Sequence, residues 1–211
     1  MYRKTAAALC GLLLLGLTGC ARSQDGLALL NKDGIAPYEL SEEDRLLLQS
    51  FGISDQNAQI IAFRAPEDAI TVNFNIYVLA DGEWAWADGG GVSMDPGEDS
   101  AAGMEGIFTM LRQEDGSIDF HISDSGSLAS YESSLVSWHP EDYPAQSWTW
   151  LQEFQESELN TEIPVAILSC TDENALSSCR LEEYFTPEQI ENPDLVQAVT
   201  LEFTDKNPGE A

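Results

Sequence analysis

The chain has very little positive charge. Its 211 residues include 9 Lys and Arg against 37 Asp and Glu, which gives a formal net charge of −28. Phosphate backbones and anionic lipid headgroups are themselves negative, so a surface of this composition repels them. We therefore expect no nucleic-acid partner, and we interpret the acidity as a source of solubility.

The sequence also lacks the short motifs that accompany common catalytic sites. It contains no Gly-x-Ser-x-Gly, Ser-x-x-Lys, Cys-x-x-Cys or His-Glu-x-x-His pattern. Its histidines are His121 and His139, and a triad on either would need a serine and an acid from elsewhere in the chain. The enzyme alternative is an envelope-polymer hydrolase that uses one of these histidines with an acid such as Asp119 or Glu141.

The N-terminal apolar run is too short to span a bilayer. It extends from Ala6 to Leu17, after the basic pair Arg3 and Lys4, whereas a transmembrane helix needs about 20 apolar residues. A basic start, a short apolar middle and small residues before a cut are typical of a secretory signal peptide.

The run ends in Leu-Thr-Gly-Cys at residues 17–20, which resembles the lipobox of bacterial lipoproteins. The resemblance implies that the chain is cut before Cys20 and that the Cys20 thiol receives a diacylglycerol. The lipid would then anchor the protein to the extracytoplasmic side of a bacterial membrane. The alternative is an ordinary signal peptide followed by a chance cysteine.

On this interpretation residues 1–19 form the signal peptide and residues 20–38 a lipidated tether. Residues 39–207 form one mainly-β globular domain, and residues 208–211 a polar tail. A chain of this length can bury roughly 70% of its unfolded surface, so its core needs no metal or dense disulfide framework.

One helix is predicted at the start of the domain. Ser41 is a good N-cap, and the three acids that follow it suit the positive end of a helix dipole. Leu47, Leu48 and Phe51 would share one apolar face, which we interpret as core packing, and Gly52 would end the helix.

Most of the domain alternates apolar and polar residues, as half-buried antiparallel strands do. Asp81-Gly82 predicts a two-residue hairpin turn. A second hairpin is predicted around Asp115-Gly116, and Asp88–Gly103 is predicted to be a loop. The predicted strands are Gln59–Arg64, Ala69–Leu79, Glu83–Ala87, Gly106–Arg112, Ser117–Ser123, Leu128–Trp138, Ile163–Cys170 and Val196–Thr204.

Two further helices are predicted late in the chain. Trp148, Leu151 and Phe154 recur at helical spacing within residues 140–160, and Thr186 opens a short helix that Pro193 ends. The fold class is therefore mainly β: an antiparallel β-sandwich or curved sheet with two or three peripheral helices, with α+β as the alternative.

Cys170 and Cys179 would remain after Cys10 leaves with the signal and Cys20 is lipidated. If Val165–Cys170 and Leu176–Leu181 form a hairpin, these two cysteines face each other and can form a disulfide in an oxidising compartment. Two free buried thiols are the alternative.

Asp95, Glu98 and Asp99 form a dense acidic group that offers the hard oxygens that Ca²⁺ prefers. The group does not match EF-hand spacing, and the sequence favours a solvated acidic loop. No other cofactor is expected.

Trp84 and Trp86 would lie on one face of a hairpin, where flat rings can stack on sugars. The same alternation also fits rings that fill the core of a small sandwich, which the pattern favours.

Together these observations predict a non-catalytic, lipid-anchored binding or scaffolding domain of the bacterial envelope, with an envelope protein or a glycan as its partner. Two alternatives remain: the hydrolase described above, and an accessory subunit of a transport or wall-synthesis complex. The accessory subunit would expose a large apolar patch.

Overall fold

The computed structural model describes residues 29–93, 103–113, 117–124, 128–134, 142–173, 176–190 and 193–207. Within them, α1 (Glu42–Ser50) is the one α-helix, and 3-10 turns occur at Leu181–Phe185 and Pro187–Gln189. The strands are β1 (Gly34–Pro37), β2 (Ala58–Arg64), β3 (Thr71–Ala80), β4 (Glu83–Ser93), β5 (Glu105–Arg112), β6 (Ser117–Ser123), β7 (Leu128–Ser134), β8 (Ala145–Trp150), β9 (Gln155–Glu156), β10 (Glu162–Thr171) and β11 (Leu195–Thr204).

The strands form two antiparallel sheets. The first has the order β7-β6-β5-β2-β1-β9, and the second has the order β4-β3-β11-β10-β8. This arrangement is a β-sandwich, so the predicted mainly-β class is confirmed. Antiparallel pairing follows from the short hairpins that the turn residues allow.

The core lies between the two sheets and is rich in phenylalanine. Phe74 of the second sheet stacks on Phe120 of the first, with ring centroids 4.4 Å apart. Phe63 and Phe203 make a similar contact at 5.7 Å. Alternation along β3 and β11 places these apolar side chains inward, as the sequence predicts.

The predicted hairpin at Asp81-Gly82 is confirmed. Both residues have positive φ, 54° for Asp81 and 81° for Gly82, which matches the right-handed twist of the flanking strands. Residues 114–116 lie outside the described part of the chain, but the pairing of Arg112 with Ile118 confirms the second hairpin.

β4 continues beyond Ala87 into the predicted loop, to Ser93. A Cβ built on Gly90 would lie 2.8 Å from the Phe74 ring and 2.9 Å from the Tyr131 ring. The glycines that suggest a loop therefore serve close packing instead, and Tyr131 OH donates to the Gly91 carbonyl at 2.6 Å. The prediction of a loop for residues 88–93 is wrong.

α1 begins and ends as predicted, but its apolar face does not enter the core. The Ser41 hydroxyl accepts from the Asp44 amide at 3.1 Å, and Gly52 follows the last turn with φ 80°. Leu47 and Phe51 remain 58% and 74% exposed. Their assignment to core packing is wrong because the two sheets already cover each other.

The helix predicted within residues 140–160 is wrong for the described residues 142–160, which contain β8, the two-residue β9 and irregular segments. β8 pairs with β10, and Trp148 and Trp150 stack with their centroids 4.8 Å apart. Trp148 and Trp150 are two residues apart and lie on one face of a strand, whereas Trp148 and Leu151 are three apart and also fit a helix. Pairing with the edge of β10 satisfies the backbone of this segment, so the strand is favoured.

The predicted hairpin around Asn174-Ala175 is also wrong, since β10 pairs with β11 on one edge and with β8 on the other. Cys170 and Cys179 are both buried, and no disulfide joins these two described residues. The Ser169 hydroxyl contacts Cys179 Sγ at 3.0 Å, and successive strand residues face opposite ways, so Cys170 packs into the core on the other face.

The segment predicted as a tether contains part of the sheet. β1 pairs with β2 and β9, and Ile35 is fully buried. The globular domain therefore begins before residue 39, because β1 completes the first sheet. The remainder of the tether up to residue 28, the signal peptide and the 208–211 tail lie outside the described residues.

Candidate functional site

An open groove lies where the outermost strands β8 and β9 end. β8 is the last strand of the second sheet and β9 the last strand of the first. Both contribute to the groove, together with the start of β10 and the turn Leu181–Phe185. Its volume is 430 Å³. We call it the Phe185 groove.

The floor of the Phe185 groove is apolar. A bulge in β10 between Pro164 and Ala166 lets the Val165 carbonyl accept from the Leu151 amide at 2.9 Å. Pro164, which lacks an N–H, suits this irregular position. Phe185 is 65% exposed. The apolar lining residues are Trp150, Leu151, Ile163, Pro164, Leu181 and Phe185.

The rim of the groove is acidic. Its four acids are Glu153, Glu156, Glu162 and Glu182, and its one basic side chain is Arg180. Arg180 already pairs with Glu183 at 3.4 Å. Neutral polar residues complete the lining: Thr149, Gln152, Gln155 and Thr161.

The wall at Glu162 is a fully bonded polar network on the outer face of the second sheet. The Glu162 carboxylate accepts from Tyr77 OH at 2.5 Å, from the Asn75 amide at 2.9 Å and from Thr200 Oγ1 at 3.3 Å. Tyr184 OH donates to the other carboxylate oxygen. This network attaches the turn Leu181–Phe185 to the sheet.

The two tyrosines act as donors in this network. Burial raises the pKa of Tyr77 and of Tyr184 well above 10, and the hydrogen bond to Glu162 raises both further. A phenol held protonated in this way is a poor nucleophile. The geometry therefore supports a structural wall rather than a reactive centre.

A second groove lies on the other side of Trp150–Gln152. We call it the α1 groove; its volume is 340 Å³, and α1, β2 and Tyr38 contribute to it. Arg45 and Asp55 form an ion pair at 2.5 Å on its lining. Gln59 is only 8% exposed and donates to the Leu151 carbonyl at 2.7 Å, and none of the described residues donates to its Oε1.

The two tryptophans proposed for sugar stacking lie away from both grooves. Trp84 stacks on Tyr184 at 5.4 Å and donates to the Tyr184 carbonyl at 2.8 Å. Only Trp86 is freely exposed, at 61%. The structure therefore does not present the pair as a joint platform, because Tyr184 occupies one face of Trp84.

His121 lies on the first sheet, where Nδ1 contacts Ser130 Oγ at 2.9 Å. Asp119 accepts from Gln113, and among the described residues no hydrogen bond joins it to His121. His121 lines neither groove. His139 and Glu141 lie outside the described residues.

The predicted calcium residues Asp95, Glu98 and Asp99 also lie outside the described residues. Within the described ranges no group of three or more His, Cys, Asp or Glu side chains could hold a metal ion. Cys179 is not an activated thiol, since burial raises its pKa.

Glu162, Tyr184 and Phe185 were not among the site residues predicted from the sequence. The polar face of β3, with Asn75 and Tyr77, was a local signal that something polar covers that sheet. The partner residues lie 85 or more positions away in the chain, so periodicity alone could not identify them.

None of the helices in the described part of the chain has the length and apolar character needed to cross a membrane. No protein-family model, curated protein or solved structure significantly matches this chain.

Proposed function

We propose that the protein is a non-catalytic, lipid-anchored binding domain of a bacterial cell envelope and that it binds its ligand in the Phe185 groove. The observation that carries this proposal is the combination of an apolar floor and an exposed Phe185 in an open groove. Concave apolar sites with a few polar groups are the usual form of a binding site.

The lipid anchor rests on the lipobox at residues 17–20. The expected result is an intact mass with a diacylglycerol on a chain beginning at Cys20, and release from the membrane in the Cys20→Ala variant. A membrane-extracted chain that retains residues 1–19 without acylation would contradict the anchor.

The groove is tested with Nile red, a neutral dye whose fluorescence rises in apolar sites. The soluble variant begins at residue 20 with Cys20→Ser and retains every described residue. We expect dye fluorescence in this variant and a severalfold loss in Phe185→Ser. Phe51→Ser removes an equally exposed phenylalanine outside the groove, so it should leave the signal unchanged. Equal loss in both would overturn the groove as the site.

A second candidate is an accessory subunit of an envelope complex. It is favoured by the exposed face of α1, where Leu47 and Phe51 lie one turn apart. If it is correct, Leu47→Ser with Phe51→Ser should abolish co-purification with a membrane complex, whereas Phe185→Ser should not.

A further inference from the structure

We infer that the Phe185 groove binds an extended peptide segment of another protein, in which basic side chains alternate with apolar ones. The inference rests on the proposed function and names the chemistry of the ligand. Three features of the groove support it: its floor, its rim and its position at two sheet edges.

The apolar floor favours a ligand with an apolar side chain that can cover Phe185. Phe185 is 65% exposed beside Leu181 and Trp150, and a ligand that covers it removes apolar surface from water. Burial of one aliphatic or aromatic side chain contributes favourably to binding in such a position.

The acidic rim favours a ligand that carries positive charge. Glu153, Glu156 and Glu182 are exposed, and within the described chain none of them forms an ion pair. Arg180 is already paired with Glu183. The α1 groove provides an internal contrast, since its Arg45 and Asp55 neutralise each other. On a chain that is acidic overall, the excess of acids over bases in the lining therefore distinguishes the Phe185 groove from the α1 groove.

The position of the groove favours a peptide over a small cation. β8 and β9 each end a sheet, and both contribute lining residues. Edge strands present backbone N–H and C=O groups that an extended peptide can pair with. In an extended peptide alternate side chains point to opposite sides, so one side can meet the floor while the other faces the acidic rim.

The test uses three peptides of about nine residues, a length that spans an edge strand. Each is capped and carries an uncharged dye. The first alternates lysine with leucine, the second replaces lysine with glutamate, and the third replaces leucine with serine. Fluorescence anisotropy with the soluble residue 20–211 Cys20→Ser variant should show binding of the first peptide only.

Variants then locate the site. Glu153→Gln with Glu156→Gln and Glu182→Gln should weaken the lysine–leucine peptide about tenfold. The matched control, Glu43→Gln with Glu67→Gln and Glu132→Gln, removes the same charge from exposed positions that line neither groove. It should change affinity less than about twofold because water and salt screen exposed charges that do not contact the peptide. Phe185→Ser should weaken binding of the lysine–leucine peptide severalfold, whether it is introduced alone or together with the control triple substitution.

Equal weakening by the two triple variants would overturn the inference, since it would mean general attraction to an acidic surface. Equal binding of the glutamate peptide would overturn it as well. The inference would also be overturned if the lipophilic cation tetraphenylphosphonium bound in the groove while the lysine–leucine peptide did not. That result would indicate a small cationic ligand. In each case Phe185-dependent Nile red binding would leave the proposed function standing, whereas its absence would remove both.

Discussion

Residues Trp150–Gln152 separate two grooves whose polar groups are satisfied to different degrees. In the Phe185 groove the carboxylate of the half-buried Glu162 accepts hydrogen bonds from two tyrosines, an asparagine and a threonine. In the α1 groove the amide nitrogen of Gln59 donates a hydrogen bond, but within the described part of the chain its Oε1 accepts none. The wall of the Phe185 groove is therefore fixed by a complete hydrogen-bond network, while the wall of the α1 groove retains a buried acceptor.

The largest effect is expected from breaking the complete network. Glu162→Ala removes the acceptor of Tyr77, Tyr184, Asn75 and Thr200, so four donors lose their partner at a half-buried position. We expect the free energy of unfolding to fall by about 2–4 kcal/mol. Glu162→Gln should cost less because one acceptor oxygen remains. Urea denaturation measures both, with Glu156→Gln as an exposed control that should change stability by less than about 0.5 kcal/mol.

High pH should weaken the same wall. The folded-state pKa values of Tyr77 and Tyr184 are raised above 10, so the folded protein holds these protons after the unfolded chain has released them. Their contribution is complete below pH 10 and is lost as the pH rises above it, by up to about 1.4 kcal/mol per pH unit for each tyrosine.

Urea denaturation at pH 8, 9, 10.5 and 11 measures this slope. The variant Tyr77→Phe with Tyr184→Phe should show a shallower decline above pH 10 than the wild type. An identical slope would mean that other groups control the alkaline transition.

A smaller effect is expected in the α1 groove. Gln59→Met removes the hydrogen bond to the Leu151 carbonyl, but it also removes a buried oxygen that accepts no hydrogen bond from any described residue. These two contributions oppose each other, so stability should change by less than about 1 kcal/mol. If Gln59→Met lowered the free energy of unfolding as much as Glu162→Ala, the hydrogen bonds of Gln59 would matter as much to stability as the network at Glu162, contrary to the comparison above.

The smallest effect is expected on the outer surface of α1. Phe51→Ser replaces a side chain that is 74% exposed, so the free energy of unfolding from urea denaturation should change by no more than about 0.5 kcal/mol, as for other surface substitutions. A large loss would indicate that this face packs against the domain. Leu48→Ser, at a half-buried position that lines the α1 groove, is the informative partner variant and should cost more.

Much of the fold could be predicted from local patterns. Alternation identified β3, β6 and β11 nearly to their ends, and the turn at Asp81-Gly82 set the register of β3 with β4. Patterns that admit two periods were less informative. Trp148 and Trp150 fit a helix or a strand, and the strand is decided by the free edge of β10.

The candidate site could not be predicted in the same way. Phe185 and Glu153 belong to segments without strong periodicity, and they share a groove only because the 3-10 turn packs over the second sheet. The exposure of Leu47 and Phe51 could not be predicted either, because an amphipathic helix has the same sequence pattern whether or not a partner covers its apolar face.

The sequence by itself determined the strand pattern, the capped helix and the strong acidity, because these depend on neighbouring residues and composition. Only the tertiary structure decided which helix face stays exposed, which cysteine enters the core and which acids surround an apolar floor. Those outcomes depend on contacts between residues far apart in the chain, which no local period encodes.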